Sequence, residues 1–368
     1  MRRHAGGPVA AVLAVVALVV GCTSEPETAA PAPDTTRVSA ERSDDLMERV
    51  LPADEPGCSA AVGIEGDVVW AAARGVADLA TGRPIETSTT FAIASVTKQF
   101  TATAVLLLVH DGDLSLHDPL STWVPGLPSW SDSVTVGQVM HMVSGIPDYV
   151  DLRARAGVAE TEPRTIQDSL SEITAMTELD FPPGNRWQYS NSNYFLLAEV
   201  VRAVTGRPVQ DVVRERIFEP LGLAMEFDPT GWDPGTTDPS SARGYVRNPS
   251  TGAWEQAGVR WEANGDAGIQ TTPSELVRWA DNYRTGRIGG DRLLADALPE
   301  DAAAPYGAGI IQDRDGSLWH GGGASGYLTT FFVTEDRRTA IAVACNGDRG
   351  PQSSIRQLEA GLRTEWTR

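Results

Sequence analysis

Apolar and polar positions along the chain fall into three regimes. Residues 9–20 are almost continuously apolar, residues 23–38 mix Thr, Ser, Glu, Pro and Ala with no apolar period, and from about Ser43 onward strand-like and helix-like periods alternate. That last regime predicts a short helix over 44–51, a strand over 59–64, a turn at Glu65-Gly66-Asp67 and a strand over 68–75, which together form a β-hairpin. Phe100, Ala104, Leu107 and Leu108 then recur at helical spacing. They predict a long, buried, central helix over 95–109 that stops before Asp111-Gly112-Asp113. The middle, about 110–263, carries helix patterns broken by Pro and Gly, for example 193–204 ending at Gly206-Arg207-Pro208. Strand patterns return over 306–312, 327–334 and 339–345, and a helix over 353–366 closes the chain. Strands at both ends around a helical middle predict an α/β (α+β) fold. An antiparallel sheet completed by the C-terminus is flanked by helices, with an inserted helical lobe at about 110–263.

The first regime reads as an export signal, since Arg2 and Arg3 precede an apolar run too short to stay in a bilayer as a spanning helix. It ends at Val19-Val20-Gly21-Cys22, which resembles a bacterial lipobox. The expected organisation is a signal peptide at 1–21, a lipidated Cys22 with a flexible linker at 22–42, and one folded domain at 43–368. The protein is then exported and held at the cell membrane, facing outward. The alternative is an ordinary cleavage site followed by an unmodified cysteine. With Cys22 set aside, Cys58 and Cys345 remain of the three cysteines. One opens an early strand and the other closes a late one, so antiparallel neighbours would bring them within reach of a disulfide. Two buried free thiols are the plain alternative.

Charge narrows the partners, because a formal net charge of −19 repels phosphate backbones and argues against nucleic acid. The basic count hides a sharper fact. Every basic residue other than histidine is Arg except Lys98. A guanidinium holds its proton too firmly to act as a base, whereas a desolvated lysine can release one near neutrality.

Lys98 closes the stretch Ser95-Val96-Thr97-Lys98 at the start of the central helix pattern. Residues three apart share a helix face, so the amine can sit beside the serine oxygen. A helix N-terminus also opposes additional positive charge and favours a developing alkoxide. Taken alone, the pattern also suits an N-capping serine and a solvated lysine. Downstream, Phe181-Pro182-Pro183-Gly184 makes a rigid turn before Tyr189-Ser190-Asn191. There a phenol is a candidate proton acceptor and an amide is a candidate partner of both lysine and substrate; an aromatic plug with a helix cap would look the same. Later, Trp319-His320-Gly321-Gly322-Gly323 puts glycines where a substrate can approach backbone and a free N–H can complete an oxyanion hole. A hairpin loop with an incidental histidine is the bland reading of that run.

In order and spacing these three elements resemble the signatures of the class C β-lactamase and D-alanyl-D-alanine carboxypeptidase family, which also includes esterases and D-aminopeptidases. The likeness runs from about Ser43 to the end and includes Met142-Val143-Ser144-Gly145-Ile146-Pro147 and Phe218-Glu219-Pro220-Leu221-Gly222-Leu223. The resemblance implies a site in a cleft between the sheet domain and the helical lobe. It implies that Ser95 is acylated, that Lys98 and Tyr189 activate it, that Asn191 positions substrate, and that His320, Gly322 and Gly323 line the cleft from the sheet edge. The oxyanion hole would use the N–H groups of Ser95 and Gly323.

His320 stands where typical β-lactamases of this kind have lysine. A histidine only fractionally charged near neutrality offers less to a substrate carboxylate, so efficient antibiotic hydrolysis is not implied. The expected reaction passes through an acyl-Ser95 intermediate formed from an amide, ester or β-lactam, cell-wall peptide termini being the leading substrate. Esterase or D-aminopeptidase action is the alternative, and a sensor that acylates and stalls is the non-catalytic one. No metal or organic cofactor is implied, and a monomer is the default. His4 lies in the signal, His110 and His117 flank a turn, and His141 sits in an apolar pattern, without metal-ligand spacing. The Gly-x-Ser-x-Gly elbow of ordinary α/β-hydrolases is not found.

Overall fold

The computed structural model describes residues 35–230, 232–233, 238–299, 305–324, 326–348 and 354–367. The expected signal peptide, Cys22 and the expected linker up to residue 34 lie outside them. The compact unit comprises Thr36–Arg368.

Helix α1 covers Thr35–Val50, so residues 35–42, expected to belong to the linker, are helical instead. The reason is tertiary. Ser39 Oγ donates to the Glu365 carbonyl at 3.1 Å, Arg42 pairs with the Glu365 carboxylate at 3.2 Å, and Trp366 Nε1 donates to Ser43 Oγ at 2.9 Å. These partners come from the far end of the chain, which no local period can reveal. Strands β1 (Cys58–Ile64) and β2 (Asp67–Arg74) form the expected hairpin.

A 3₁₀ turn at Ala94–Thr97 leads into α2, Lys98–Asp111. This helix is buried from Lys98 to Leu108, as befits a helix apolar on every side. It stops at Gly112, whose positive φ of 85° lets its N–H cap Leu108 and Val109. The following region contributes α3 (Tyr149–Arg155) and α4 (Asn191–Thr205) among its helices. It also holds short strands at Glu226–Phe227, Tyr245–Arg247 and Trp254–Gln256, which the helix patterns of this region did not announce.

Strand β3 (Ile269–Thr271) and helix α5 (Pro273–Ala280) return the chain to the sheet. The strand expected over 306–312 shrinks to β4, Ile311–Gln312, because Gly309 adopts φ +74° and turns the chain. Strands β5 (Leu318–Ala324), β6 (Tyr327–Val333) and β7 (Thr339–Cys345) follow, then α6 (Ser354–Trp366).

Together they complete a six-stranded antiparallel sheet in the order β4-β5-β6-β7-β1-β2. Successive side chains of a strand point to opposite faces. In β1 and β7, Ala60, Val62, Ile341 and Val343 pack with Leu46 and Met47 of α1 and Leu358 and Leu362 of α6. Ala61, Ala340 and Ala342 pack the other way, in the core that holds Phe100, Leu276 and Trp279. Burial on both faces explains why these strands read as unbroken apolar runs. Cys58 and Cys345 are directly opposed in register and joined by a disulfide. Among the described residues, no helix is long and apolar enough to cross a membrane.

Candidate active site

Ser95 sits in the 3₁₀ turn just ahead of α2, held from both sides. Ile93 N–H donates to the Ile269 carbonyl of β3 at 3.0 Å, and Ala94 takes a positive φ of 47°. Such a backbone costs on the order of 1–3 kcal/mol and persists only where packing over-determines it. Strand β5 supplies that packing. A Cβ on Gly322 would lie 2.1 Å from the Ile93 carbonyl oxygen, so only glycine lets strand and turn come this close. Gly322, expected to face substrate, is therefore buried beneath the turn, whereas Gly323 is exposed and reaches the pocket beside Ser95. Strand β4 opposes only Leu318 and Trp319. From His320 on, that edge of β5 has no sheet neighbour among the described residues.

Lys98 is fully buried at the first turn of α2. Its Nζ donates to Ser95 Oγ at 3.0 Å, to Asn191 Oδ1 at 2.8 Å and to the Asp266 carbonyl at 2.7 Å. Two of these acceptors are carbonyl oxygens that cannot return a proton. They take two N–H bonds and direct the third position of the nitrogen at Ser95, where a neutral amine would hold its lone pair. The Tyr189 ring centroid lies 5.1 Å from the same nitrogen. Ser95, Lys98, Tyr189 and Asn191, drawn from two distant stretches of sequence, thus meet around one amine.

Asn191 opens α4 and is fixed at both ends of its amide. While Oδ1 faces Lys98, Nδ2 donates to Asp148 Oδ2 at 2.8 Å, and the Asn191 N–H reaches the same oxygen at 2.8 Å. The other oxygen of Asp148 caps α3 through Val150 N–H at 2.8 Å and Asp151 N–H at 3.3 Å. Burial raises the Asp148 pKa above the usual carboxylate value, against the lowering effect of those backbone bonds. Asp266 is tied on its side chain as well: Tyr149 Oη donates to Oδ2 at 2.8 Å and Asn264 N–H to Oδ1 at 3.2 Å. Burial, then the charge of Asp266, pushes the Tyr149 phenol well above its ordinary pKa, so Tyr149 donates and does not ionise.

His320 departs from expectation. Along β5, Leu318, His320 and Gly322 share the buried face, which carries the imidazole inward rather than into the cleft. Its Nδ1 contacts the Gly321 carbonyl at 2.7 Å and its Nε2 contacts Tyr306 Oη at 2.9 Å. Because Nδ1 has only a carbonyl to meet, it carries the proton, and Nε2 accepts from the phenol. Burial, then the nearby Lys98 charge, lowers the His320 pKa to about 3. The ring is neutral rather than fractionally charged, and it serves as packing behind Tyr189, 6.3 Å between ring centroids.

The pocket at Ser95, Asn191 and Gly323 has walls of Tyr149, Trp232, Val259 and Trp261, with Glu160 and Asp266 as its charged members. The described lining holds neither Lys nor Arg. Of these contributors, Asp148, Tyr149, Glu160, Trp261 and Asp266 were not singled out from the sequence. Asp148-Tyr149 directly follows the Met142–Pro147 landmark, and Asp266 lies between Gly265 and Gly268, the local signals available for them. No group of three or more His, Cys, Asp or Glu suited to a metal occurs among the described residues.

Comparison with known proteins fits this geometry. The beta-lactamase family model matches residues 45–364. A D-aminopeptidase of Cereibacter sphaeroides is 29% identical over 332 residues, covering 86% of this chain and 62% of that protein. The chain thus spans about three fifths of the length of that relative. A penicillin-binding protein of Bacillus subtilis is 26% identical over 326 residues, covering 80% of this chain and 69% of that one. Among solved structures, a D-stereospecific amidohydrolase from Streptomyces shares the fold, with a TM-score of 0.73 at 24% identity over 89% of this chain and 98% of that one. The D-amino acid amidase of Ochrobactrum anthropi, complexed with L-phenylalanine, gives a TM-score of 0.69 at 25% identity over 89% of this chain and 96% of that one. A family model matched from residue 45 to residue 364, with a serine, tyrosine and asparagine gathered around one buried lysine amine, means that the chain belongs to the beta-lactamase family of serine hydrolases.

Proposed function

We propose that the protein hydrolyses amides of amino acids by an acyl-Ser95 mechanism, as an aminopeptidase or amidase rather than a carboxypeptidase. The observation that carries the mechanism is the buried Lys98, aimed at Ser95 Oγ at 3.0 Å while carbonyl oxygens occupy its other positions. Ser95 Oγ attacks the substrate carbonyl and its proton passes to Lys98, with Tyr189 as the relay. The N–H groups of Ser95 and Gly323 receive the oxyanion, and Asn191 orients the acyl group. Collapse breaks the C–N bond, and the proton from Ser95 goes to the leaving amine. Water then attacks the ester, gives its proton back through the same groups, and releases the acid and free Ser95.

The choice of substrate branch rests on charge. A carboxypeptidase must receive a free carboxylate, yet His320 is neutral and buried and the described pocket lining offers Glu160 and Asp266 without a cation. Relatives named D-aminopeptidase support D-configured amino-acid amides as the first substrates to try. The penicillin-binding relative supports a second reading, acylation by β-lactams.

The test is turnover of a D-amino-acid p-nitroanilide, with intact-mass analysis of the protein after incubation with a penicillin. Amide turnover abolished by Ser95→Ala and by Lys98→Arg upholds the proposal. A stable penicilloyl-Ser95 adduct without amide turnover favours the second reading, and turnover unchanged in both variants rejects the mechanism.

We further propose export and lipid attachment at Cys22. The N-terminal apolar run supports this, as does the Cys58–Cys345 bond, since such bonds persist in oxidising compartments. Metabolic fatty-acid labelling that survives in Cys22→Ser would reject it.

A further inference from the structure

We propose that Asp148 is a positioning residue of the proton machinery: it holds the Asn191 amide with Oδ1 toward Lys98 and so keeps the lysine lone pair free for Ser95. This deepens, and rests on, the acyl-Ser95 reading above.

The oxygen and nitrogen ends of a primary amide have nearly the same size, so packing alone does not choose which of them faces Lys98. Hydrogen bonding does. A charged lysine draws Oδ1, since an ammonium only donates. A neutral lysine, the form that takes the serine proton, carries a lone pair as well, and a turned Asn191 would donate its Nδ2–H to it. That bond would occupy the base when it is needed. Asp148 removes the alternative. Its Oδ2 accepts from Asn191 Nδ2 at 2.8 Å while Asn191 Oδ1 accepts from Lys98 Nζ at 2.8 Å. A turned amide would set Oδ1 against the Asp148 carboxylate, which has no proton to give it.

The clamp is itself anchored. Asp148 Oδ2 also accepts from the Asn191 N–H at 2.8 Å, and Asp148 Oδ1 accepts from Val150 N–H at 2.8 Å and Asp151 N–H at 3.3 Å, so backbone sets both oxygens. Ser192 laces the flanking residues to the start of α4: its Oγ donates to the Pro147 carbonyl at 2.6 Å and accepts from Tyr149 N–H at 3.0 Å. The path from Asp148 to Ser95 Oγ thus runs through Asn191 and Lys98, the last contact being 3.0 Å.

The experiment is a double-mutant cycle of Asp148→Ser and Asn191→Ala in the full chain. It reads kcat/KM on D-phenylalanine p-nitroanilide and on p-nitrophenyl acetate, above the rates of Ser95→Ala. The activated ester, the easier acyl donor, keeps the Asn191→Ala background measurable. Serine caps a helix about as well as aspartate, so Asp148→Ser keeps the cap of α3 and removes the bonds to Asn191. A positioned base contributes about 10²- to 10⁴-fold, and Asp148→Ser should lose about 10- to 100-fold of it. With Asn191→Ala there is no amide to turn, and adding Asp148→Ser should cost less than about threefold more. Thermal melts establish that each variant is folded, and Asp148→Thr, which also caps, replaces Asp148→Ser if that variant does not fold. An Asp148→Ser enzyme within about threefold of wild type, or an equal loss in both backgrounds, overturns the assignment and leaves acyl-Ser95 hydrolysis standing. No Ser95-dependent turnover of either substrate by the wild type overturns the acyl-Ser95 reading, and this assignment with it.

Discussion

Gly322→Ala isolates the contact that holds the nucleophile. The added Cβ would lie 2.1 Å from the Ile93 carbonyl oxygen and 3.1 Å from its carbon, and real Cβ contacts stay beyond 3.0 Å, so strand and turn must part by about 0.9 Å. Neither side yields easily. Ile93 is fixed to β3 at 3.0 Å by its own N–H, and β5 is held by β6 along its whole length. Overpacking of this kind costs about 1–3 kcal/mol of stability. The larger effect falls on chemistry, because Ser95 lies two residues from the displaced carbonyl, and an error near 1 Å in a reacting group costs on the order of 100-fold. The neighbouring glycines are built-in controls: a Cβ on Gly321 would meet its nearest atom at 3.9 Å and one on Gly323 at 3.7 Å, and neither needs a positive φ. Steady-state kcat/KM on the best amide substrate, beside thermal melts, should show Gly322→Ala down about 100-fold while Gly321→Ala stays within about twofold. If Gly322→Ala kept activity within threefold of wild type, or Gly321→Ala fell as far, the spacer role would be wrong.

His320 and the disulfide give further expectations. The His320 pKa is about 3 in the fold against 6.5 unfolded, so the unfolded chain takes up the proton first as pH falls. The stability linked to the neutral ring is full above pH 6.5 and is lost progressively toward pH 3, on the order of 5 kcal/mol in all. Urea unfolding at pH 7 and pH 4 should show wild type losing more stability than His320→Asn over that interval, and equal losses would contradict the burial argument. Cys58 and Cys345 are separated by 287 positions, so their bond removes a long loop from the unfolded ensemble. Cys58→Ser with Cys345→Ser should lower unfolding free energy by about 2–5 kcal/mol and leave kcat/KM largely intact. Unchanged stability on chemical denaturation would show that the bond adds nothing beyond strand pairing.

The central strands β1 and β7 were legible because they are buried on both faces. Cys58–Ile64 and Thr339–Cys345 are short apolar runs bounded by turn residues, and both stand in the structure at those limits. Central helix α2 was legible for the same reason, with its stop at Gly112. Errors gathered where distant chain decides local structure. Residues 35–42 look like linker until Glu365 and Trp366 are beside them. Strand pattern over 306–312 breaks at Gly309 because a side chain there would strike the backbone of Lys98 and Gln99, at 2.5 Å.

The candidate site divides along the same line, and the division bears on substrate. Ser95 and Lys98 share one turn of chain, and Tyr189 and Asn191 share another, so spacing alone could bring forward the groups that move protons. What decides which substrate is welcome comes from elements with no motif of their own. Asp148 fixes Asn191, Tyr149 and Asp266 brace the far side of Lys98, and burial, with the Lys98 charge nearby, keeps His320 neutral. A histidine in a glycine-rich run looks like a cleft residue from its neighbours in sequence, yet strand alternation on β5 turns it into the core. Removing that ring from the cleft removes a partial positive charge at the place where a peptide carboxylate would bind, while Glu160 and Asp266 add negative charge to the pocket. Under the proposed reading both changes act in one direction, against substrates that present a free carboxylate. The shared proton machinery is common to the family, and the proposal that this chain takes amino-acid amides rests on the charge of the walls around it.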